Sequence, residues 1–111
     1  MAFLVLVTIP KEKAVSFSKR LLKEKACACI SIIEQINSFF WWKGKIEQGK
    51  ESLLLLKTSA NAFVKLKKAI RKHHPYSVPE IIAFNIDKID KAYFDWLKSS
   101  IAAPGKNKIK K

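Results

Sequence analysis

The sequence predicts an α+β domain with strands and helices in the order βαββαβ and one further helix at the C-terminus. Three observations carry that class. Short apolar runs rich in β-branched and aromatic residues alternate with stretches whose apolar residues recur at helical spacing. The chain has 111 residues, room for one domain of ordinary size and not for two. Hydrophobic residues make up 49% and charged residues 28%, a globular balance that can build a core without disulfides or a structural metal.

Ala2 to Val7 (AFLVLV) reads as a buried strand. Thr8 and Pro10 then offer a helix start, a hydroxyl cap followed by a proline for the first turn. Ala14, Phe17, Leu21 and Leu22 recur at helical spacing among lysines, predicting an amphipathic helix from Lys11 to Lys25. Cys27 to Ile36 reads as the second strand. After a bend at Gln35 to Asn37, Ser38 to Ile46 (SFFWWKGKI) continues extended. Glu47 to Lys50, with Gly49, is the expected hairpin turn, and Glu51 to Thr58 (ESLLLLKT) the returning strand. Phe63, Leu66 and Ile70 predict a second amphipathic helix over Ala60 to His73. Pro75 and Pro79 exclude helix between them, and Glu80 to Ile86 (EIIAFNI) is the last strand. Asp90 can cap a short helix bearing Tyr93, Trp96, Leu97 and Ile101, ended by Pro104 and Gly105. The domain is expected to span 1–103, with 104–111 a basic disordered tail. Two such helices gather on one face of an antiparallel sheet, the ferredoxin-like split arrangement.

The strands carry one feature that a lone domain does not explain. A sheet covered by helices on one face should alternate apolar and polar residues. Phe3 to Val7 and Leu53 to Leu56 are apolar on both faces, and Phe39 and Trp41 point opposite to Phe40 and Trp42. Something covers the second face. Either several chains pack their sheets together, or the terminal helix and loops fold back over it.

The formal net charge is +13, from 22 Lys plus Arg against 9 Asp plus Glu. Lys106, Lys108, Lys110 and Lys111 hold four of those charges in the tail, and the rest are dispersed over helices and loops. That dispersal reads as a solvated exterior, so nucleic acid is not expected as a partner. No stretch predicts a membrane span, and Met1 to Val7 is too short and lacks the basic lead of a signal peptide. Cys27 and Cys29 are too close on one strand for a sound disulfide. They read as reduced thiols in a cytoplasmic protein.

Gly44-Lys-Ile-Glu-Gln-Gly49-Lys50 matches the first seven positions of a phosphate-binding P-loop. The eighth is Glu51, which lacks the magnesium-holding hydroxyl and repels phosphate, and the context is strand–turn–strand. Nucleotide hydrolysis is therefore not expected, and no partner set supports nucleophilic catalysis, so the chain reads as a non-enzyme. The candidate metal ligands are Cys27, Cys29, His73 and His74, whose spacing is not that of a structural zinc site. Thiolate and imidazole do suit copper. Cys29 can equally be a small buried hydrophobe, and the histidines a solvated helix end. Glu80 stands out among the acids, at a strand start after two prolines, although an ion pair with a lysine would also account for it.

Leu6-Val-Thr-Ile-Pro10, Cys29 in Ala-Cys-Ile-Ser-Ile, Ser38 through Trp42-Lys-Gly-Lys-Ile46, Glu51 through Leu56-Lys57-Thr58, His74-Pro-Tyr-Ser-Val-Pro-Glu80-Ile-Ile, and Tyr93 with Trp96 together resemble the CutA family of divalent-cation-tolerance proteins, from about Phe3 to Leu97. The resemblance implies a ferredoxin-like homotrimer with its sheets around the three-fold axis. It also implies tolerance to copper and other divalent ions, and a likeness to PII signalling trimers. It points to Cys29, His74 and Glu80 as metal ligands, with Trp42, Lys57 and Tyr76 lining a cleft between subunits. No cofactor is required, and copper or another divalent metal is the ion it could take. The alternative is a signalling or scaffold trimer that takes a small anion or a partner protein in that cleft. The sequence departs from the family pattern at Cys27-Ala28, Ser31, Phe40 and Ser77. Thiols known elsewhere in the family are replaced by Val7 and Ala69, which leaves Cys29 as the shared one.

Overall fold

The computed structural model describes residues 1–101. They form β1 (Ala2–Pro10), α1 (Ala14–Lys23), β2 (Cys29–Trp42), β3 (Lys45–Ser59), α2 (Phe63–His73), β4 (Ile82–Ile86) and α3 (Lys91–Ser100). The strands make one antiparallel sheet in the order β2-β3-β1-β4. Alternate residues share a face, so Val5, Val7 and Ile9 of β1 lie beside Leu56, Leu54 and Ser52 of β3. This face is buried under α1, through Ala14, Phe17 and Leu21, and under α2, through Leu66, Ala69 and Ile70. Phe3 meets Phe63 edge to face at 5.5 Å.

Several expected boundaries move. The first strand runs on to Pro10, and Thr8 is paired with Leu53 inside it rather than capping a helix. β4 pairs with β1 only as far as Leu6–Ile82, so beyond Leu6 one side of β1 needs no N–H, and a proline is tolerated there. A 3₁₀ turn, Lys11–Lys13, then precedes α1. The first helix ends at Lys23 because Lys25 turns left-handed (φ 59°). The Lys25 and Ala26 N–H groups bond back to the Leu22 and Leu21 carbonyls, a Schellman closure with lysine where glycine is usual. Cys27 lies before β2, buried in the core, and both cysteines are free thiols. A second 3₁₀ turn, Ala60–Ala62, leads into α2, and β4 begins at Ile82 rather than Glu80. Asp90 caps α3 as expected, its carboxylate accepting from the Tyr93 N–H. The expected stop at Pro104 and the lysine tail lie outside the described residues.

The hairpin turn is at Lys43–Gly44, not at Glu47–Lys50. Both turn residues have positive φ, 51° and 78°, the signature of the two-residue turn that matches strand twist. Glycine takes that conformation freely and lysine does not. Lys43→Asn is therefore expected to stabilise the chain by about 1 kcal/mol, read as a higher melting midpoint; an unchanged or lower midpoint refutes it. The expected bend near Gln35 is a bulge between Ile33 and Ile36. Beyond it the β2–β3 ribbon projects as a two-stranded arm, in a molecule measuring 51 × 27 × 23 Å. Phe39 (67%) and Trp41 (73%) are exposed on it, with Phe40, Trp42 and Ile46.

The second sheet face carries Leu4, Leu6, Leu53, Leu55 and, from the edges, Ile33, Ile82 and Phe84. α3 lies against β3 on this side with Leu97 fully buried, so the terminal helix covers part of it. Ile33, Ile82 and Phe84 (52%) stay exposed in the single chain.

Candidate functional site

The predicted residues fall into three places. At one end of the sheet Cys29 opens β2 and stands opposite Lys57 of β3. The Lys57 ammonium donates to the Ser31 hydroxyl at 2.6 Å and lies 3.9 Å from the Cys29 sulfur. From α3 the Tyr93 hydroxyl reaches Cys29. Burial, then the Cys29 charge, hold that phenol above its ordinary range. Tyr93 packs on Trp96, with ring centres 5.4 Å apart. The Cys29 thiol is half-exposed at the margin of the uncovered face. Cys27, two residues away, is buried, and burial with the Cys29 charge pushes its thiol up to about 12, so it stays protonated and inert.

At the other end, the segment after α2 folds along the unpaired edge of β1. His74 is buried there. Its Nε2–H donates to the Thr8 carbonyl at 2.8 Å, and the Tyr76 backbone N–H donates to its Nδ1 at 3.1 Å. These two bonds require the neutral ring. Burial lowers its pKa below 6.5, against the opposing pull of the Thr8 carbonyl and the Glu51 charge. Phe17 meets the ring edge on, and Tyr76 stacks at a tilt 4.8 Å away. The Tyr76 hydroxyl donates to the buried Glu51 carboxylate at 2.8 Å, and burial plus that bond push the phenol up to about 12. Glu80 is exposed as a residue, yet partial burial of its carboxyl and the nearby Glu51 charge raise its pKa.

Trp42 is in the third place, at the tip of the arm opposite Lys45. Lys57 and Glu51 are six residues apart on β3, so the cysteine end and the histidine end are about 20 Å apart, and Trp42, opposite Lys45, is about 40 Å from Lys57. One chain therefore does not bring the six predicted residues together. Among the described residues no group of three His, Cys, Asp or Glu side chains is placed to hold a metal ion. A cavity of about 470 Å³ at the start of α1, lined by Lys11, Val15, Ile32 and Glu34, contains none of the six. A metal at His74 would have to displace the Tyr76 N–H from Nδ1.

Three participants were missed in the sequence. Ser31 and Tyr93 surround Cys29 only because of strand register and the docking of α3, neither of which is local. Glu51 has only a strand signal in the sequence; what could mark it is the need of the nearby Tyr76 hydroxyl for an acceptor.

With this geometry in view, comparison with known proteins is informative. The profile of the family described as CutA1 divalent ion tolerance protein matches residues 3–100. The divalent-cation tolerance protein CutA of Thermus thermophilus is 40% identical over 101 residues, 90% of this chain and 98% of that protein. Its namesake from Pyrococcus horikoshii is 41% identical over 95 residues, 85% of this chain and 92% of that one. A solved structure of the periplasmic divalent cation tolerance protein CutA from Archaeoglobus fulgidus superposes with a TM-score of 0.88 at 35% identity, covering 92% of this chain and all of that one. No described helix is long and apolar enough to cross a membrane.

Proposed function

The chain belongs to the CutA1 divalent ion tolerance family, and on that premise we propose that it works as a homotrimer of ferredoxin-like subunits that binds copper or another divalent cation between subunits, in metal homeostasis. The observation that carries this reading is the half-exposed Cys29 thiol at the margin of an apolar sheet face that its own chain covers only in part. Packing that face against other copies removes its apolar surface from water. The same packing lets groups held about 20 Å apart in one chain meet across a boundary. Cys29 supplies the soft thiolate and Glu80 a carboxylate. His74 organises the loop that carries Glu80 and joins the ligands only by giving up its bond to Tyr76. Two free thiols suit a reducing compartment such as the cytoplasm.

Calorimetry with Cu(II) on the native chain is expected to show saturable binding. Cys29→Ser and Glu80→Gln should each weaken it about tenfold or more, since a ligand is lost in each. Binding unchanged in both variants removes this site.

Lys57 favours a second reading. Its ammonium lies beside Cys29 and Ser31 and suits a small anion in a PII-like signalling trimer. A thermal-shift screen of nucleotides and acidic metabolites separates the two, because a ligand of the native state raises the midpoint. A shift with copper and none with any anion rejects the second reading.

A further inference from the structure

The sequence scatters its lysines, but the fold gathers them. α1 carries Lys19, Arg20 and Lys23, α2 carries Lys65, Lys67, Lys68, Arg71 and Lys72, and neither helix contains an acid. Both helices lie on the same sheet face, opposite the apolar one. Along α2, beside Glu24 at the end of α1, runs a shallow groove of about 380 Å³, lined by Glu24, Val64, Lys65, Lys68, Ala69 and Lys72. Lys65, Lys68 and Lys72 follow one side of α2 at helical spacing. Glu24, the carboxylate in this groove, is bonded at 2.6 Å to His73 and so is not paired with the lysines. Among the described residues no carboxylate forms an ion pair with Lys65, Lys68 or Lys72.

We propose that this groove docks the phosphate backbone of a nucleic acid, with Lys65, Lys68 and Lys72 as the contacting cations. From Lys65 to Lys72 the helix rises about 10 Å, which matches about three phosphates along one strand. The groove offers no aromatic ring on which a base could stack, so contact is to the backbone and is blind to sequence. It is also poorly suited to a lipid surface. Its exposed apolar side chain is Val64, while the exposed phenylalanines and tryptophans that could anchor in a bilayer lie on the hairpin arm and the far sheet face. The inference is independent of the metal reading, since it uses none of the same residues.

Fluorescence anisotropy of a short labelled mixed-sequence RNA, titrated with the full chain at about 0.15 M ionic strength, tests it. Saturable binding is expected. Combining Lys65→Gln, Lys68→Gln and Lys72→Gln should weaken it about tenfold or more and lower the salt slope by about 2, about 0.7 for each lost phosphate contact on a single strand. Combining Lys43→Gln, Lys45→Gln and Lys50→Gln removes the same charge from the hairpin and should leave affinity close to native. Equal losses in both combinations mean that net charge alone is felt, and overturn the proposal. So do an unchanged affinity in the groove variant, loss of binding on removing residues 104–111 alone, or binding to anionic phosphatidylserine vesicles with none to RNA. Circular dichroism melts of the variants, whose exchanged residues are all exposed, confirm that they fold.

Discussion

Replacing Phe84 by aspartate is expected to reduce the proposed trimer, whose mass on light scattering should be three times that of one chain, to single chains of 12.7 kDa. Phe84 sits on β4 opposite Leu4, in an apolar face that also holds Leu6, Ile82 and Ile33. Half of its surface is exposed in the single chain. Burying a phenylalanine between subunits contributes about 1.5–3 kcal/mol. An aspartate there forfeits that and adds the cost of an unpaired buried charge, several kcal/mol more. In the proposed three-fold assembly the loss is repeated at every subunit. Light scattering on a sizing column at micromolar concentration decides the matter. A native monomer, or an aspartate variant of undiminished mass, rejects the assembly and with it the shared metal site. Far-ultraviolet dichroism distinguishes a folded single chain from an unfolded one.

The second large effect is at His74. His74→Ala leaves the Thr8 carbonyl and the Tyr76 N–H without their partner and empties the space between Phe17 and Tyr76. The cost is about 2–4 kcal/mol, a large share of the 5–15 that holds a domain folded. It also has a pH signature. The folded pKa of His74 lies below its unfolded value of about 6.5. Below that pH the unfolded chain takes up a proton that the folded chain refuses. The His74 contribution is thus complete above pH 6.5 and declines as pH falls toward the folded value. Glu80 has the opposite sign: its raised pKa favours the folded chain while protonated, and that contribution is lost as pH rises through the folded value from the unfolded 4.5. Glu80 is present in both proteins, so its contribution largely cancels in the comparison. Urea unfolding of native chain and variant at equal concentration, at about pH 8 and about pH 5, should show the difference between them shrinking in acid. A difference independent of pH would contradict the neutral, doubly bonded ring.

Much of the fold was legible in the chain because the signals are local. The apolar run Ala2 to Val7, the helical spacing of Phe63, Leu66 and Ile70, and the Asp90 cap act over a few residues, and the structure has each of them. The boundaries that moved depend on something distant. Pro10 stays in a strand because β4 stops short of it, and the hairpin turns at Lys43 because pairing with β3 aligns Trp42 with Lys45. Gly49 looked like the turn, but it lies within β3 opposite Ser38, under the Phe40 ring.

The candidate site was legible in its residue types and not in its arrangement. A thiol, an imidazole and acids can be read from a chain, and so can apolar strands that need cover on both faces, because side-chain chemistry and strand alternation are properties of neighbours in sequence. Whether a group is free to act depends on what folding places beside it. The Thr8 carbonyl, 66 residues away in sequence, occupies one nitrogen of His74; Glu51 receives the Tyr76 hydroxyl; Lys57 and Tyr93 flank Cys29. Those pairings come from strand register and helix docking, which depend on the burial of the whole core rather than on any one segment. For the same reason the basic stretches of α1 and α2, separate in the chain, come to lie on one face of the sheet.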